Sequence, residues 1–319
     1  MISSSSKSNP TTSSDASPAL SPEQSENPHP AEHSGHSGDT ALKPFPPAPE
    51  LIPTAVLTAG SYRLRFARTP EELDRLLRLR FEIFNLELDE GLATSYATGR
   101  DEDEFDRVCH HLLVEHAPTG ELVGTYRLQT AEMAAEGAGF YTDGEFALDG
   151  LPAEVIAQGI ELGRAAIARE HRKRPVLFLL WRGLALYVAQ NAKRYLFGCC
   201  SVTSQDPRDG WRAQATLAAG DHLHPTLAIA ARPGFECELP KSVERDSALA
   251  PADSPLVLPA LFDMYLRYGG KIAGGPVIDR AFGTIDFLML FDVMAMEEKS
   301  RRMFFDNLPG IPESPGREG

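Results

Sequence analysis

The stretch that decides the fold runs from residue 160 to residue 174 and reads Ile160-Glu161-Leu162-Gly163-Arg164-Ala165-Ala166-Ile167-Ala168-Arg169-Glu170-His171-Arg172-Lys173-Arg174. We predict a strand over 160–167 and a basic turn over 169–174. A helix over 175–191 follows, and it is apolar around most of its circumference, which predicts that it is buried. Residues 195–202 form a second apolar, strand-like run, so the unit is strand, basic turn, buried helix, strand.

The residues before this unit alternate between strand and helix patterns. Residues 62–67 alternate polar and apolar side chains, as a half-buried strand does. Residues 69–72 read Thr-Pro-Glu-Glu, a capping box that predicts the start of an amphipathic helix. Two β-rich runs, 111–116 and 122–128, are joined by a Pro/Gly turn and predict a hairpin. A short helix is predicted over 152–158.

The residues after the unit are patterned less clearly. We predict a helix around 212–217, a second helix over 255–268 and a strand over 285–291. Taken in order, these elements predict an α/β (α+β) domain with a mixed central sheet flanked by helices.

The first 54 residues have a different composition from the rest of the 319-residue chain, because they are rich in Ser and Pro and poor in apolar side chains. Such a segment is expected to be disordered, since it buries too little apolar surface to offset the entropy of ordering it. We therefore expect a tail over 1–54, a folded domain over 55–310 and a flexible tail over 311–319. Within the domain we expect a core over 60–205 and an elaboration over 206–310.

Charge and cysteine content limit the classes of function. The net charge is −14, which argues against nucleic-acid binding. The four cysteines include no CxxC pair, so reduced thiols in the cytoplasm are expected. No apolar run is long enough to span a membrane, because Arg182 interrupts the longest one. The spacing of His29, His33 and His36 suits a metal, but a polar tail without cysteines makes a metal site a poor prediction.

Several short motifs resemble the L-ornithine Nα-acyltransferases (lyso-ornithine lipid synthases) and, more distantly, the acyl-homoserine-lactone synthases. The matching stretches, in chain order, are Leu79-Arg80-Phe81-Glu82-Ile83-Phe84, Asp103-Glu104-Phe105-Asp106, Cys109-His110-His111-Leu112, Gly124-Thr125-Tyr126-Arg127-Leu128, Gly139-Phe140-Tyr141, Glu161-Leu162-Gly163-Arg164, Tyr195-Leu196-Phe197-Gly198 and Gly274-Gly275-Pro276-Val277-Ile278-Asp279 with Phe282-Gly283-Thr284-Ile285-Asp286-Phe287. Each motif is short, but all of them occur in the family's order.

The resemblance implies a GNAT-type fold and an N-acyltransferase. The expected reaction moves a long-chain 3-hydroxy fatty acyl group from a carrier thioester to the α-amine of ornithine, the first step of ornithine lipid synthesis. Two alternatives stay open: acylation of another amino acid or amine, as in the homoserine-lactone synthases, and a non-catalytic module that binds an acyl thioester. The single-chain product makes contact with the inner face of the membrane an expectation.

Glu161 and Arg164 are the expected catalytic pair. An amine needs a base to lose its proton, and the related lactone synthases have a Glu with an Arg three residues later. Residues 161 and 164 of a regular strand point to opposite faces, so the pair can cooperate only across a β-bulge, for which Gly163 is a permissive place. In GNAT proteins such a bulge frees a backbone N–H for the thioester oxygen, here expected within 165–167. The alternative is a structural Glu–Arg pair inside the sheet.

The donor is expected to be acyl-phosphopantetheine on acyl carrier protein, and coenzyme A is the second choice. Many GNAT proteins have a glycine-rich phosphate loop after this strand, whereas this chain has Arg172, Lys173 and Arg174. These side chains and the start of the following helix suit one phosphate or the acidic surface of a carrier protein. No resident cofactor or metal is expected.

The acceptor is expected to meet charged residues on either side of Phe105. Asp103 and Asp106 would bind its amines, and Arg80 and Arg127 would bind its carboxylate. For all four residues, ion pairing within the protein is the alternative.

Three further expectations concern the acyl group. Tyr141 or Tyr187 could protonate the leaving thiolate, and the sequence does not choose between them. A Cys109–His110 nucleophile is disfavoured, because adjacent residues rarely orient into such a pair. The apolar tunnel for the chain is expected on the buried helix, at Leu177, Leu180, Trp181 and Leu184.

Overall fold

The structure is a computed structural model that describes residues 44–239 and 258–311. The expectations for residues 1–43 and 312–319, including the three tail histidines, lie outside the described residues. Residues 44–54, which we predicted to be tail, contact the domain. Ile52 is 2% exposed within the core, and a hydrogen bond of 2.7 Å joins the Pro47 carbonyl to His110 Nε2.

Within the described residues, nine strands form one mixed sheet in the order β1-β2-β3-β4-β5-β6-β9-β7, and β8 pairs with β9. The strands are β1 (Leu57–Ala59), β2 (Tyr62–Phe66), β3 (His110–His116), β4 (Glu121–Thr130), β5 (Gly159–Ile167), β6 (Tyr195–Val202), β7 (Lys271–Ile272), β8 (Val277–Asp279) and β9 (Thr284–Asp292). All neighbours run antiparallel except β5 and β6. The predicted mixed sheet flanked by helices is confirmed.

The helices connect these strands on both sides of the sheet. They are α1 (Pro70–Phe81), α2 (Ser95–Thr98), α3 (Ala131–Glu136), α4 (Ala153–Ala157), α5 (Arg174–Gln190), α6 (Pro207–Ala219), α7 (Ala260–Arg267) and α8 (Glu298–Phe305). A π-helical turn, Glu82–Glu87, extends α1. No helix in these described ranges is both long and apolar enough to cross a bilayer.

Helix α1 starts where the capping box predicts. Thr69 Oγ1 accepts a hydrogen bond of 3.3 Å from the Glu72 amide. The Glu72 carboxylate reaches back one residue further than in the standard box and accepts a bond of 2.7 Å from the Arg68 amide. The Arg68 and Glu72 amides at the start of the helix therefore both have hydrogen-bond partners.

The two long helices pack on opposite faces of the sheet. Helix α5 buries Val176, Leu180 and Leu184 in the same cluster as the β5 residues Ile160 and Leu162. On the other face, apolar side chains of α1 and of the turn after it pack in a separate cluster with Phe282, which precedes β9. They are Leu76, Leu79, Ile83 and Phe84. We call the side of the sheet that α5 covers the α5 face, and the side that α1 covers the α1 face.

Strands β5 and β6 separate soon after they meet. Their parallel pairing covers three residue pairs, from Gly159 with Tyr195 to Glu161 with Phe197. Beyond this point β5 stays paired with β4, and β6 stays paired with β9 along its whole length. The sheet therefore has an opening between β5 and β6, while each of these strands remains paired with its other neighbour.

Candidate active site

The opening between β5 and β6 holds a cavity of about 260 Å³. Its walls come from residues 162–165 of β5 and residues 196–201 of β6, from α7, from β9 and from the segment after α1. Because β5 and β6 no longer pair here, the cavity has walls from both faces of the sheet.

The end of the cavity on the α5 face is apolar. The β9 side chains Met289 and Phe291 belong to the core cluster on this face, together with α7. Aromatic and aliphatic side chains line this end: Tyr126, Leu196, Phe262, Tyr265, Met289 and Phe291. The Tyr126 and Tyr265 hydroxyls hydrogen-bond to each other and are the buried polar groups at this end.

The end on the α1 face carries the charged side chains of the cavity, beside the apolar side chains of Phe84, Leu88 and Phe282. Ser201 pairs with Asp286 across β6 and β9, next to the pair of Cys200 with Phe287. Because neighbouring residues of a strand point to opposite faces, Asp286 lies on the face opposite to Phe287 and the α5 core. Glu90, Tyr141, Arg164 and Asp286 line this end.

Strand β5 contains the predicted bulge. Gly163 pairs with Arg127, and Ala166 pairs with Thr125, so β5 has one residue more than β4 between these pairs. We expected Gly163 to absorb the distortion, but Arg164 does so, with φ of 49°. This conformation is uncommon for a non-glycine residue and is found where the surroundings hold it in place.

The bulge places Glu161 and Arg164 on the same face, where Tyr141 touches both. The Glu161 carboxylate accepts bonds of 2.7 Å from the Thr142 amide and 3.1 Å from the Tyr141 amide. The Arg164 guanidinium lies 4.8 Å from the centre of the Tyr141 ring. Glu161 is 5% exposed and borders a small cavity next to the main one, and burial raises the pKa of its carboxyl group.

Arg164 also belongs to a buried cluster of three arginines and three aspartates. Arg80 binds Asp101 at 2.7 Å and Asp106 at 2.6 Å, and both of its partners are fully buried. Arg127 binds Asp103 at 2.5 Å and Asp106 at 3.1 Å. Arg164 closes the cluster, at 3.0 Å from Asp103 and 3.4 Å from Asp101.

The four residues expected to bind the acceptor are therefore all in this cluster, and they differ in access. Arg80 and Asp106 have no exposed side-chain surface, so in this structure they contact other protein groups and not the cavity. Asp103 keeps 13% of its side chain exposed, and Arg127 borders the small cavity beside Glu161. The pKa values of Asp103 and Asp106 are lowered against the effect of burial, because Arg127 and, for Asp106, Arg80 stabilise their charged forms.

Three acidic residues at the α1 end of the cavity were not identified from the sequence: Glu90, Glu145 and Asp286. Glu145 is 2% exposed and Asp286 is 3% exposed, and the two carboxylates lie with Cys199 Sγ inside a group of ligand-type atoms no more than 4.8 Å apart. Burial raises the pKa of all three carboxyl groups. One sequence signal existed, because Asp286 interrupts the apolar strand 285–291 on a buried face.

The basic turn lies at the start of α5, as predicted. Arg172 binds Glu87 with contacts of 2.6 and 2.9 Å, which occupies its guanidinium group. Lys173 and Arg174 are exposed. The Val176 and Leu177 amides already bond to the Lys173 carbonyl, so the helix start has few free amides for a phosphate.

Two expectations about the acyl group are affected by the structure. The α5 side chains Leu180, Trp181 and Leu184 pack in the core and do not line the cavity, whose apolar wall comes from α7 and β9 instead. Tyr187 bonds to His110 at 2.7 Å within the core, whereas Tyr141 lines the cavity. Burial raises the pKa of Tyr141 well above its ordinary value, which makes it a weak acid.

Comparison with known proteins relates this chain to a defined group. Residues 79–182 match the acetyltransferase (GNAT) domain family. The chain is 33% identical over 259 residues to the L-ornithine N(alpha)-acyltransferase of Rhodobacter capsulatus, covering 78% of this chain and 97% of that protein. It is 31% identical over 238 residues to the enzyme of the same name from Rhizobium meliloti, covering 72% and 79% of the two chains.

Solved structures with a related arrangement include the AHL synthase LasI, with a TM-score of 0.44 and 14% identity over 77% of this chain and 96% of that one. The N-acyl amino acid synthase FeeM from uncultured soil microbes has a TM-score of 0.42 and 11% identity over 75% and 95% of the two chains. The sequence relatives cover most of both chains at 30% identity or more, and on that ground this chain is a GNAT-fold acyltransferase that belongs to the L-ornithine N(alpha)-acyltransferase family.

Proposed function

We propose that this enzyme transfers a long-chain 3-hydroxy acyl group from acyl carrier protein to the α-amine of ornithine. The observation that carries the proposal is the cavity through the sheet, which has an apolar end and a charged end. A fatty acyl chain suits the first end and an amino acid suits the second. The two substrates would then meet between β5 and β6, beside the bulge.

Glu161 acts as the general base in this proposal. The acceptor ammonium loses one proton to solvent, and the neutral amine attacks the thioester carbon. Glu161, directly or through a water, removes the second proton from nitrogen as the tetrahedral intermediate collapses. The carbon–sulfur bond breaks, and the thiolate takes a proton either from Glu161 or from solvent while Glu161 releases its own proton to solvent, so the enzyme returns to its starting state. Burial helps, because a carboxylate with a raised pKa is a stronger base.

The bulge supplies the stabilisation of the thioester oxygen. Residues 164 and 165 lie between the last regular pairs of β5 with β4, and both line the cavity. A backbone N–H released from the ladder there would bind the oxygen as negative charge develops on it.

Arg164 and Arg127 are the proposed partners of the acceptor carboxylate, with Asp103 beside them. Arg80 and Asp106 act as positioning residues, because their buried ion pairs hold Arg127 and Asp103 in place.

The donor half of the proposal rests on two features. Lys173 and Arg174, exposed near the cavity-forming strand β5, would contact the phosphopantetheine phosphate or the acidic surface of acyl carrier protein. The Tyr126–Tyr265 hydroxyl pair in the apolar end would bind the 3-hydroxyl of the acyl chain, which otherwise would have no polar partner there.

The test is an acyl-transfer assay with a panel of acceptors and both donors. Purified enzyme is incubated with 3-hydroxyacyl carrier protein or 3-hydroxyacyl coenzyme A and with ornithine, lysine, homoserine lactone or putrescine, and the products are identified by mass spectrometry. We expect ornithine to be acylated fastest, with the carrier-protein donor. A higher rate with another amine would refute ornithine as the acceptor, and no turnover with any amine would favour a binding module.

A further inference from the structure

The α1 end of the cavity holds carboxyl groups that form no ion pair with a protein cation, although Arg164 lines the same end and is paired with Asp101 and Asp103. Glu90, Glu145 and Asp286 belong to none of the ion pairs formed within residues 44–239 and 258–311. Glu90 and Asp286 line the cavity, and Glu145 lies behind Asp286. Burying ionised carboxylates without a counter-charge is unfavourable, which raises their pKa values, and a bound cation would offset that cost.

Individual oxygens of this group also lack partners. In the described part of the chain, Asp286 Oδ1 and Glu145 Oε1 are buried and accept no hydrogen bond. The two carboxyl groups also contact each other, and Asp286 contacts the Ser201 hydroxyl. The second oxygen of Glu145 has a weak partner, the Cys199 thiol at 3.5 Å, and Glu90 accepts a bond from the Thr203 hydroxyl. Buried polar atoms are nearly always paired in folded proteins, so the unpaired oxygen of Asp286, whose side chain lines the cavity, indicates a ligand that donates a hydrogen bond.

The arginine–aspartate cluster does not offer an equivalent site. Its three aspartates face three arginines, so its net charge is zero. A second positive charge brought by a substrate would gain little there. The uncompensated carboxylates at the cavity end are the better partner for a cation.

We infer that Glu90 and Asp286 bind the side-chain ammonium of the acceptor, with Glu145 behind Asp286, and that this contact selects a diamino acid. The inference rests on the proposed acyl transfer to an amino acid and assigns the residues that distinguish among such acceptors. An ammonium group carries three N–H donors and one positive charge, so it can donate hydrogen bonds to both cavity-lining carboxyl groups and offset part of their charge.

A metal ion is the competing occupant, since Glu145, Cys199 and Asp286 have ligand-type atoms. The ammonium contact instead uses Glu90, which lines the cavity but is not part of that group of ligand-type atoms. The test below separates the two occupants.

The experiment compares two acceptors that differ only in the terminal amine: ornithine and 2-aminopentanoic acid. The kcat/KM ratio of the two is measured for the wild-type enzyme, for Glu90→Gln, for Asp286→Asn and for the double variant. The matched control is Asp89→Asn, which removes an exposed carboxylate next to Glu90. Thermal melting of each variant shows whether it is folded.

We expect the wild type to prefer ornithine by at least ~100-fold, because an analogue without the amine leaves buried carboxylates unpaired. The double variant should lower this preference to within about threefold by losing activity on ornithine, while activity on 2-aminopentanoic acid is kept. Asp89→Asn should keep the wild-type ratio.

Three results would overturn the inference. The ornithine preference could survive in the double variant, or both acceptors could lose activity equally in folded variants. A wild-type preference that disappears on dialysis against EDTA and returns with a divalent metal would show that a metal binds there. If the wild type acylates neither amino acid, the proposed function itself has failed, which is a different outcome from an unselective enzyme.

Discussion

At the scale of single residues, one extra residue in β5 determines which side chains can act together. Without the bulge, Glu161 and Arg164 would point to opposite faces of the sheet. With it, both lie on the α1 face and both contact Tyr141. The sequence predicted the bulge but not its position, because glycine tolerates a positive φ better than arginine does. The ion pairs of Arg164 with Asp101 and Asp103 are the tertiary contacts that hold the less favourable conformation.

Replacing the proposed base tests the mechanism directly. In Glu161→Gln, kcat should fall about 10²- to 10⁴-fold, the usual contribution of a general base, while binding of the acyl donor stays unchanged. Single-turnover kinetics and fluorescence binding of the donor measure the two quantities. Glu154→Gln, at an exposed position just before β5, is the control and should keep full activity. Wild-type turnover in Glu161→Gln would show that Glu161 is not the base.

The proposed role of Glu161 also predicts how activity depends on pH. Burial raises the pKa of Glu161 above 4.5, its ordinary value, so the base is protonated and inactive up to a higher pH than an exposed glutamate would be. The acid limb of the kcat/KM profile should therefore lie above pH 4.5, with activity rising as pH rises through the pKa of Glu161. In Glu161→Gln this limb should disappear and leave only the limb that deprotonation of the acceptor amine produces, whereas a profile identical to that of the wild type would assign the limb to another group.

The buried arginine–aspartate cluster makes a prediction about stability. Asp106→Asn leaves Arg80 and Arg127 with one fewer counter-charge in a dry environment and should lower the free energy of unfolding by about 3–5 kcal/mol. Urea unfolding at pH 7 measures it. Asp263→Asn, in an exposed pair with Arg267, should cost at most about 1 kcal/mol.

The contribution of Asp106 should also depend on pH. The pKa of Asp106 is lower in the folded protein than in the unfolded chain, so its stabilisation is present above pH 3.8 and is lost as pH falls through the folded-state pKa. The stability difference between the wild type and Asp106→Asn should thus narrow in acid. A difference that stays constant down to pH 2 would contradict the assignment.

At the scale of secondary-structure elements, the long periodic segments were predictable and the short irregular ones were not. Helices α1 and α5 begin within one residue of their predicted starts, because capping signals and apolar patterns are local. The 3-10 turn Tyr141–Gly144, whose amides bind Glu161, has no periodic signal, and its role depends on a strand about 20 residues away. The partnership of Glu161 with this turn therefore could not be predicted from either segment alone.

Strand β6 depends on a glycine where it parts from β5. A Cβ atom added at Gly198 would lie 2.1 Å from the Leu162 carbonyl oxygen. Both residues border the cavity. We expect Gly198→Ala to push the strands apart, to lower stability by about 1–3 kcal/mol and to reduce acyl transfer. Differential scanning fluorimetry and the acyl-transfer assay measure these effects.

The control for this variant is Gly275→Ala, since a Cβ atom there meets its nearest neighbour at an ordinary 3.9 Å. Wild-type stability of Gly198→Ala would show that the β5–β6 approach is not as tight as described.

At the scale of the whole molecule, the basic turn is an exception in a chain of net charge −14. An acidic carrier protein would be repelled by most of this surface and attracted to Lys173 and Arg174. Lys173→Glu should reduce kcat/KM by about tenfold at low salt with the carrier-protein donor and less with acyl coenzyme A, and salt should narrow the difference. Lys299→Glu, at an exposed position of α8, is the control. Equal losses with both donors would argue against a carrier-protein surface.

The candidate site was predictable only in part for a reason that also belongs to this scale. Glu161, Arg164 and the aspartates near Phe105 lie in short motifs, so a motif comparison finds them. Glu90, Glu145 and Asp286 come from three distant segments, and only Asp286 lies in one of the matching motifs. Nothing in the sequence indicates that these segments meet at one end of the cavity.

The opening between β5 and β6 has a consequence for how a turnover ends. If the two substrates meet as proposed, the amide product has its head on one side of the sheet and its chain on the other. Neither half can leave without pulling the other half through the opening between β5 and β6. The product would then extend through the sheet from one face to the other. Product release, more than bond formation, would limit the rate of turnover.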